Sequence, residues 1–182
     1  DVCSSDLTKA MRTGTEATRL SFVLPVTLRE TGTHSWRNDP DRGVRMRLRL
    51  LIASFLRHCA PDGLDRVLIL SPAEQHAELG RLLPGLAGDP RFELIDERAL
   101  CPAAFESRGP AGARPAGWVI QQLLKIAAAD RVRTEFYVTL DSDIVCLALF
   151  GPRTLLHGGR AWTNAESVDD YRRLYTEDFA AR

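Results

Sequence analysis

Residues Phe136 to Leu147 read FYVTLDSDIVCL, an apolar run that stops at two aspartates, Asp141 and Asp143. Carboxylates are disfavoured inside a buried strand, so the aspartates mark the point at which a strand leaves the core. An Asp-x-Asp tripeptide is weak evidence by itself. Asp39 and Asp41 form a second copy in SWRNDPDRG, a stretch rich in turn formers and charge that predicts a solvated loop. The surroundings of Asp141 and Asp143 therefore decide their interpretation.

Apolar runs alternate with amphipathic stretches along most of the chain. The runs LSFVLPV, RVLILSP, FELIDE and EFYVTL predict strands at 20–26, 66–72, 92–97 and 135–140. Apolar residues spaced three and four apart predict helices at 44–58, within 73–86 and at 117–130, the second of them ended by Pro84 and Gly85. This order predicts an α/β fold with a mostly parallel sheet, helices on both faces, and ligands bound beyond the carboxyl ends of the strands. We expect the strands that begin near Leu20, Arg66 and Glu135 to be neighbours.

The composition narrows the classes of partner. The 182 residues carry 24 acidic and 24 basic side chains, so no surface for a polyanion is indicated and nucleic acid is not an expected partner. No apolar run is long enough to cross a bilayer, so no transmembrane segment is predicted. The four cysteines lack the spacing of a zinc site or a disulfide framework. We therefore predict a cytoplasmic protein, and the alternative is a protein attached peripherally to the inner membrane.

The two ends of the chain differ from the alternating part. The opening DVCSSDL resembles a translated sequencing-adapter remnant, and residues 1–18 are predicted to be a non-native or disordered tail outside the domain at 19–182. The closing DYRRLYTEDFAAR has the pattern of a helix with no capping glycine or proline after it. We therefore expect a domain that is truncated at its C-terminus.

Asp141 and Asp143 are candidate metal ligands. Two carboxylates one residue apart at a strand end can present oxygens to Mg²⁺ or Mn²⁺, hard ions that commonly also bind substrate phosphates. The chain has no GxGxxG after its first strand and no GxxxxGK[ST], so a metal would replace a glycine-rich loop as the phosphate-binding device. The structural alternative is that the two aspartates only open a turn or cap a short helix.

The predicted helix before this strand, GWVIQQLLKIAAADRV, contains Lys125. Its apolar stripe is predicted to be Ile120, Leu123, Leu124 and Ala127, with Gln121, Gln122 and Lys125 on another side. Lys9 and Lys125 are the only lysines among many arginines, and a compact ammonium acts on phosphate as a point charge. Lys125 is therefore a candidate phosphate ligand, and the alternative is an exposed, solubilising lysine.

Several other residues have structural interpretations. Trp118, at the start of that helix, is predicted to be a packing anchor rather than a platform for a sugar ring. Arg45 and Arg47 lie on the first predicted helix, where alternating arginines are typical of a solvated face. The histidines at 34, 58 and 76 have no partner in the sequence and are predicted to lie at the surface.

Taken in order, FVLPV, RMRLRLLIASF, RVLILSP, GWVIQQLLKI and FYVTLDSDIV resemble a bacterial GT-A-type glycosyltransferase. The resemblance is greatest to a poorly characterised family that has a GW..QQ..K helix before a DxD strand, and it covers residues 20–159. It implies a GT-A-like fold, a nucleotide-diphosphate sugar as donor, and an acceptor that is a glycan, a lipid or a small molecule. GT-A enzymes usually have a later segment that supplies acceptor contacts and any catalytic base, and no residue of this sequence is assigned to that role.

The same resemblance implies roles for individual residues. Pro25 and Thr27 would lie against the nucleoside, and Gln122 and Lys125 near the sugar or the diphosphate. Asp141 would contact the ribose or a metal-bound water, and Asp143 would bind the Mn²⁺ or Mg²⁺ ion.

Two other functions remain open. DSDIV also fits the DxDx[TV] motif of haloacid-dehalogenase-like phosphatases, in which Asp141 would attack phosphorus and Asp143 would act as acid and base. That motif normally occupies the first strand of its domain, whereas three predicted strands precede it here. The third possibility is a fragment that binds a metal-nucleotide and catalyses nothing.

Overall fold

The structure, a computed structural model, describes residues 18–28, 40–86, 88–106, 115 and 117–161. The chain divides into two compact units, 1–152 and 153–182. Apart from Thr18, the predicted N-terminal tail lies outside the described residues, as does the predicted C-terminal helix.

Four strands and five helices make up the described part of the first unit. The strands are β1 (Leu20–Pro25), β2 (Leu64–Ser71), β3 (Phe92–Asp96) and β4 (Tyr137–Thr139). The helices are α1 (Pro40–His58), α2 (His76–Leu82), α3 (Glu97–Leu100), α4 (Pro102–Glu106) and α5 (Gly117–Ala127). Short 3-10 turns occupy Pro61–Gly63, Ala73–Gln75, Pro84–Leu86 and Ala128–Arg131.

The four strands form one sheet in the order β3-β2-β1-β4, and every neighbouring pair is parallel. Val23 of β1 lies opposite Leu68 of β2 and Thr139 of β4. The prediction that the strands near Leu20, Arg66 and Glu135 are parallel neighbours is confirmed, and so is the α/β class.

Helices cover both faces of this sheet, as predicted. The side chains of successive strand residues point to opposite faces of the sheet, so Phe22 and Val23 lie on different faces. Phe22 meets Phe55 of α1 edge to face, with ring centroids 4.9 Å apart, and Phe150 completes this aromatic cluster. On the other face Val23 belongs to a core with Leu124 of α5. Because helices pack on both faces of the sheet, both faces of the central strands β1 and β2 are largely buried, and the sequences of these strands are therefore continuous apolar runs.

Several boundaries differ from the sequence prediction. α2 begins at His76 rather than at Ala73, because a 3-10 turn occupies Ala73–Gln75, and β2 begins at Leu64 rather than at Arg66. The loop predicted around Asp41 is wrong, because α1 already begins at Pro40, whose fixed φ suits the first turn of a helix. β4 is shorter than 135–140, because the backbone N–H of Ser21 bonds to the Thr134 hydroxyl at 3.2 Å instead of to a strand partner. α5 ends at Ala127, and its last predicted residues form a 3-10 turn.

Of the second unit, residues 153–161 are described. β5 (Leu156–His157) and β6 (Arg160–Ala161) pair antiparallel. Gly158 and Gly159, with φ of +57° and +74°, form the turn between them, as a tight hairpin requires. A sixth helix, α6 (Pro152–Leu155), spans the boundary of the units. None of the helices in the described ranges has the length and the apolar character needed to cross a bilayer.

Candidate functional site

The strand order reverses between β1 and β4. From β1 the chain adds β2 and then β3 on one side, and it then returns to add β4 on the other side of β1. In open α/β sheets such a reversal opens a crevice beyond the carboxyl ends of the two strands, where ligands bind. The DSD motif begins two residues after the end of β4, with Leu140 between them, and Val26 and Thr27 directly follow β1. Both chain segments therefore lie at the edge of the sheet where such a crevice is expected.

Pro25 explains why the pairing of β1 with β4 stops there. The Leu140 N–H bonds to the Val23 carbonyl at 2.8 Å, so the polar backbone groups of Val23 face β4. Backbone groups two residues apart point to the same side of a strand, so those of Pro25 also face β4. Proline has no N–H to continue the ladder, and pairing stops. Continuing the register of Val23 opposite Thr139 places Asp141 level with Pro25.

Lys125 and Asp141 meet at this point. The Lys125 Nζ donates to Asp141 Oδ1 at 2.7 Å, and the exposed fractions of the two side chains are 10% and 58%. α5 connects parallel strands and so runs opposite to them, and helix side chains tilt toward the helix N-terminus. The lysine stem is therefore buried along the sheet while its ammonium points to the carboxyl edge. The alternative of an exposed, solubilising Lys125 is wrong.

The buried face of α5 differs from the predicted stripe. Leu124 and Lys125 are buried, as is Ala128 in the 3-10 turn that follows, whereas Leu123 is exposed and Ala127 is half-buried. The Tyr137 hydroxyl donates to the Lys125 carbonyl at 3.1 Å, which ties this turn of the helix to β4. The stripe is thus rotated toward Lys125, because the lysine carries an apolar stem that can be buried like a leucine.

The other predicted site residues lie around this pair with different exposure. Pro25 is buried in β1, and Thr27 is exposed just after it. Asp143 is exposed in a turn in which the Ile144 N–H approaches the Asp141 carbonyl at 3.4 Å, a long hydrogen bond. Gln122 is exposed on α5, one turn before Lys125. The structure therefore joins Lys125 to Asp141 directly and shows no direct contact of Gln122 with either.

The carboxylates can be tested as metal ligands by their number and chemistry. Among the residues that the structure describes, no group of three or more histidine, cysteine, aspartate or glutamate side chains could hold a metal ion. Asp141 and Asp143 would thus have to share an ion with other oxygens. Mg²⁺ fits such a site, because it is usually bound by one or two carboxylates together with waters and substrate phosphates. The donor set suits a metal that arrives with a phosphate ligand.

Two residues at the same edge of the sheet were missed by sequence reasoning. Gln75, buried after β2, accepts a hydrogen bond from the Leu28 N–H at 2.7 Å and so fixes the chain that leaves β1. Glu97, after β3, is half-buried. Burial raises the pKa of its carboxyl to about 7; Arg98 opposes the rise, and Asp96 and Glu74 add to it. Both residues occur in polar stretches, and no sequence pattern signals their burial.

The structure also tests the structural interpretations of Trp118 and the histidines. Trp118 is 68% exposed, so the prediction of a packing anchor is wrong: the first turn of α5 lies beyond the core that Leu124 reaches. His58 and His76 are half-buried, and the His76 Nε2 lies 3.2 Å from the Ser71 carbonyl oxygen, a partner that the sequence does not reveal. His34 lies outside the described residues.

Residues 17–180 match the model of a family described as a family of unknown function, DUF6492. The match spans most of the chain, so the chain belongs to this family. No curated protein matches it.

Proposed function

We propose that this member of the DUF6492 family is a glycosyltransferase whose donor is a nucleotide-diphosphate sugar, bound with Mn²⁺ or Mg²⁺ at the DSD motif. The observation that carries the proposal is the meeting of the buried Lys125 ammonium with Asp141, next to Asp143, at the crevice where the strand order reverses. This places a fixed cation and two carboxylates at the position where sheets of this class bind ligands.

Asp143 and Asp141 are the residues that would hold the ion. A bound divalent cation supplies charge neutralisation for a diphosphate leaving group. Lys125 occupies Oδ1 of Asp141 and thereby fixes the orientation of the carboxylate, whose second oxygen is available to the ion or to a ribose hydroxyl. A ligand at this point meets a carboxylate that is already oriented, so little side-chain entropy is lost on binding.

Lys125 also contributes positive charge of its own. Its side chain is almost fully buried, and charge interactions are stronger away from bulk water. The ammonium lies at the carboxyl edge of the sheet, where a diphosphate in the crevice would pass. Thr27 is exposed two residues after Pro25, at the carboxyl end of β1, which is where the nucleoside would lie.

The phosphatase alternative has one observation in its favour, since Asp141 closely follows a strand and is more than half exposed, as a nucleophile has to be. Against it, the DSD follows the fourth described strand, at the side of the sheet farthest from β3. The phosphatase motif instead opens its domain. The glycosyltransferase is therefore the better-supported function.

Binding is the appropriate assay, because it does not require an acceptor. The full chain is titrated calorimetrically with nucleoside diphosphates and nucleotide sugars, with and without Mn²⁺. We expect one nucleoside diphosphate to bind much more tightly with the metal, since the ion bridges two sets of negative oxygens. Asp143→Ala should abolish this metal dependence. Asp130→Ala, at an exposed position after α5, is the matched carboxylate control and should leave it unchanged.

Other outcomes point to other functions. Trapping of beryllium fluoride at Asp141, without preference for a nucleoside, would indicate the phosphatase. Metal-dependent nucleotide binding without transfer to any acceptor would fit the non-catalytic fragment. Binding that ignores metal and nucleoside and is unchanged in Asp143→Ala would leave the DSD as a turn.

A further inference from the structure

The outer surface of α1 combines apolar side chains with arginines. Met46, Leu50 and Leu56 are exposed large hydrophobic residues, and Arg49 and Arg57 are exposed among them. The sequence contains no aspartate or glutamate between Asp41 and Asp62. This helix surface is therefore apolar and positively charged, which is unusual for a helix face turned to water, where acidic and basic residues normally alternate.

A second exposed apolar element lies beside α1. The chain from Ile144 to Phe150 runs along the helix, since the Cys146 N–H bonds to the Ser54 hydroxyl at 3.0 Å and the Phe150 N–H bonds to the His58 carbonyl at 2.9 Å. Val145, Leu147 and Leu149 alternate along this segment and are exposed, Leu147 by 85% and Leu149 by 70%.

The two elements lie side by side, joined by the hydrogen bonds at Ser54 and His58. Leu50 lies one helical turn before Ser54 and therefore on the side of α1 that borders the segment. We call Met46, Leu50, Val145, Leu147 and Leu149 the apolar face. Contiguous apolar surface is uncommon on a monomer and marks a site of interaction.

The charges around the apolar face select its partner. α1 supplies arginines and no acidic residue between Asp41 and Asp62, whereas the exposed Asp141 and Asp143 precede the segment, so the positive charge belongs to the α1 side of the apolar face. Amphipathic surfaces that combine large apolar residues with arginines bind the interface of anionic membranes. A second copy of the chain fits less well, because two-fold pairing sets the same patch against itself and would bring arginines toward arginines. The partner with complementary charge is a surface of anionic lipid headgroups.

We propose that the apolar face docks on an anionic lipid bilayer, with Leu147 and Leu149 among the headgroups and Arg49 and Arg57 on lipid phosphates. The docking segment begins directly after Asp143, so the crevice between β1 and β4 would lie next to the lipid surface. The docking itself does not depend on the proposed glycosyl transfer and is tested without any nucleotide.

Vesicle flotation tests this directly. The full chain is mixed with vesicles of phosphatidylcholine alone or with one third phosphatidylglycerol. We expect flotation with the anionic vesicles, weakened by high salt, and little with the neutral ones. Leu147→Glu should weaken binding at least tenfold, because it replaces an inserted apolar side chain by a negative charge. Arg49→Gln and Arg57→Gln should each weaken it about fivefold.

Ile126→Glu is the matched control. Ile126 is 68% exposed on α5, which covers the opposite face of the sheet, so this substitution adds the same charge without touching the apolar face. It should float like the unmodified protein. Circular dichroism and melting curves of all variants exclude unfolding as the cause of a loss.

The proposal is overturned by absence of flotation, by equal flotation of Leu147→Glu and Ile126→Glu, or by binding that ignores lipid charge. Concentration-dependent dimerisation that Leu147→Glu abolishes, together with no binding to vesicles, would assign the apolar face to a second copy instead.

Discussion

Removing Asp141 should destabilise the protein more than removing Lys125, although the two form one ion pair. Asp141→Ala leaves the Lys125 ammonium, on a side chain that is 10% exposed, without its carboxylate. Breaking a fully buried pair from one side costs about 3 to 5 kcal/mol. Because the Asp141 side chain is 58% exposed and hydrated, we expect a loss of about 1 to 3 kcal/mol.

Lys125→Met has the opposite asymmetry. It removes the buried charge but keeps the apolar stem, and the carboxylate left behind is already hydrated. The loss should stay below about 1 kcal/mol, since the charge that remains is solvated and a pair with one exposed partner contributes little. The variant that combines Asp141→Ala with Lys125→Met has no unpaired ammonium. Much of the stability lost in Asp141→Ala should therefore be recovered in it.

Urea unfolding at pH 7 without metal or nucleotide measures these differences, and thermal melting should show a fall of about 3 to 10 °C for Asp141→Ala. Asp143→Ala is the control, because Asp143 is an exposed aspartate two residues away. This substitution should leave the free energy of unfolding unchanged. A loss above about 2 kcal/mol in Lys125→Met, or equal losses in Asp141→Ala and Asp143→Ala, would refute the reasoning.

Four further predictions concern the parts that support the site. Burial raises the pKa of Glu97 from its ordinary value of 4.5 to about 7 in the folded protein. Between these two values the folded state binds the proton more strongly than the unfolded state does. The free energy of unfolding should therefore fall as pH rises from about 5 to 8. After allowance for partial exposure, Glu97→Gln should be more stable by about 1 to 2 kcal/mol at pH 8 and equal at pH 4, as judged by urea unfolding. Gln75→Leu should cost about 1 to 3 kcal/mol in the same assay, because the buried Leu28 N–H loses its acceptor, whereas Gln122→Leu should be neutral. Phe55→Ala should cost about 3 to 5 kcal/mol, and Leu56→Ala, at an exposed position, should cost far less. Burial raises the pKa of the Cys59 thiol to about 11, so iodoacetamide at pH 8 should leave it unmodified until the protein unfolds, as mass spectrometry would show.

The strands were predictable because the signal for each is local. A run such as Leu20 to Pro25 is apolar at nearly every position, which a strand buried on both faces requires. The order of the strands followed in outline from the α/β alternation. The length of β4 could not be predicted. The Thr134 hydroxyl accepts the hydrogen bond of the Ser21 N–H in place of a strand partner, and Ser21 lies 113 residues away in the chain.

The candidate site was predictable only as a set of residue types. The position of Asp141 at a carboxyl end follows from the apolar run before it. The burial of Lys125 does not, because α5 is apolar on several sides and its periodicity admits more than one buried face. Only the sheet decides that Leu124 and Ala128 point inward and Leu123 does not. The GT-A identity and the role of Gln122 stay predictions.

The reversal of strand order also governs when the site can form during synthesis. Ser21 and Thr134, which meet where β1 joins β4, are 113 residues apart in the chain. On the ribosome, β1 can pair with β2 early, but its other edge stays open until Tyr137 emerges, on the order of ten seconds after β2 at ordinary elongation rates. During that interval an apolar strand edge is exposed to other nascent chains. The β1–β4 edge is therefore the last part of the described sheet to form. Protection by chaperones matters most in the interval before β4 pairs with β1.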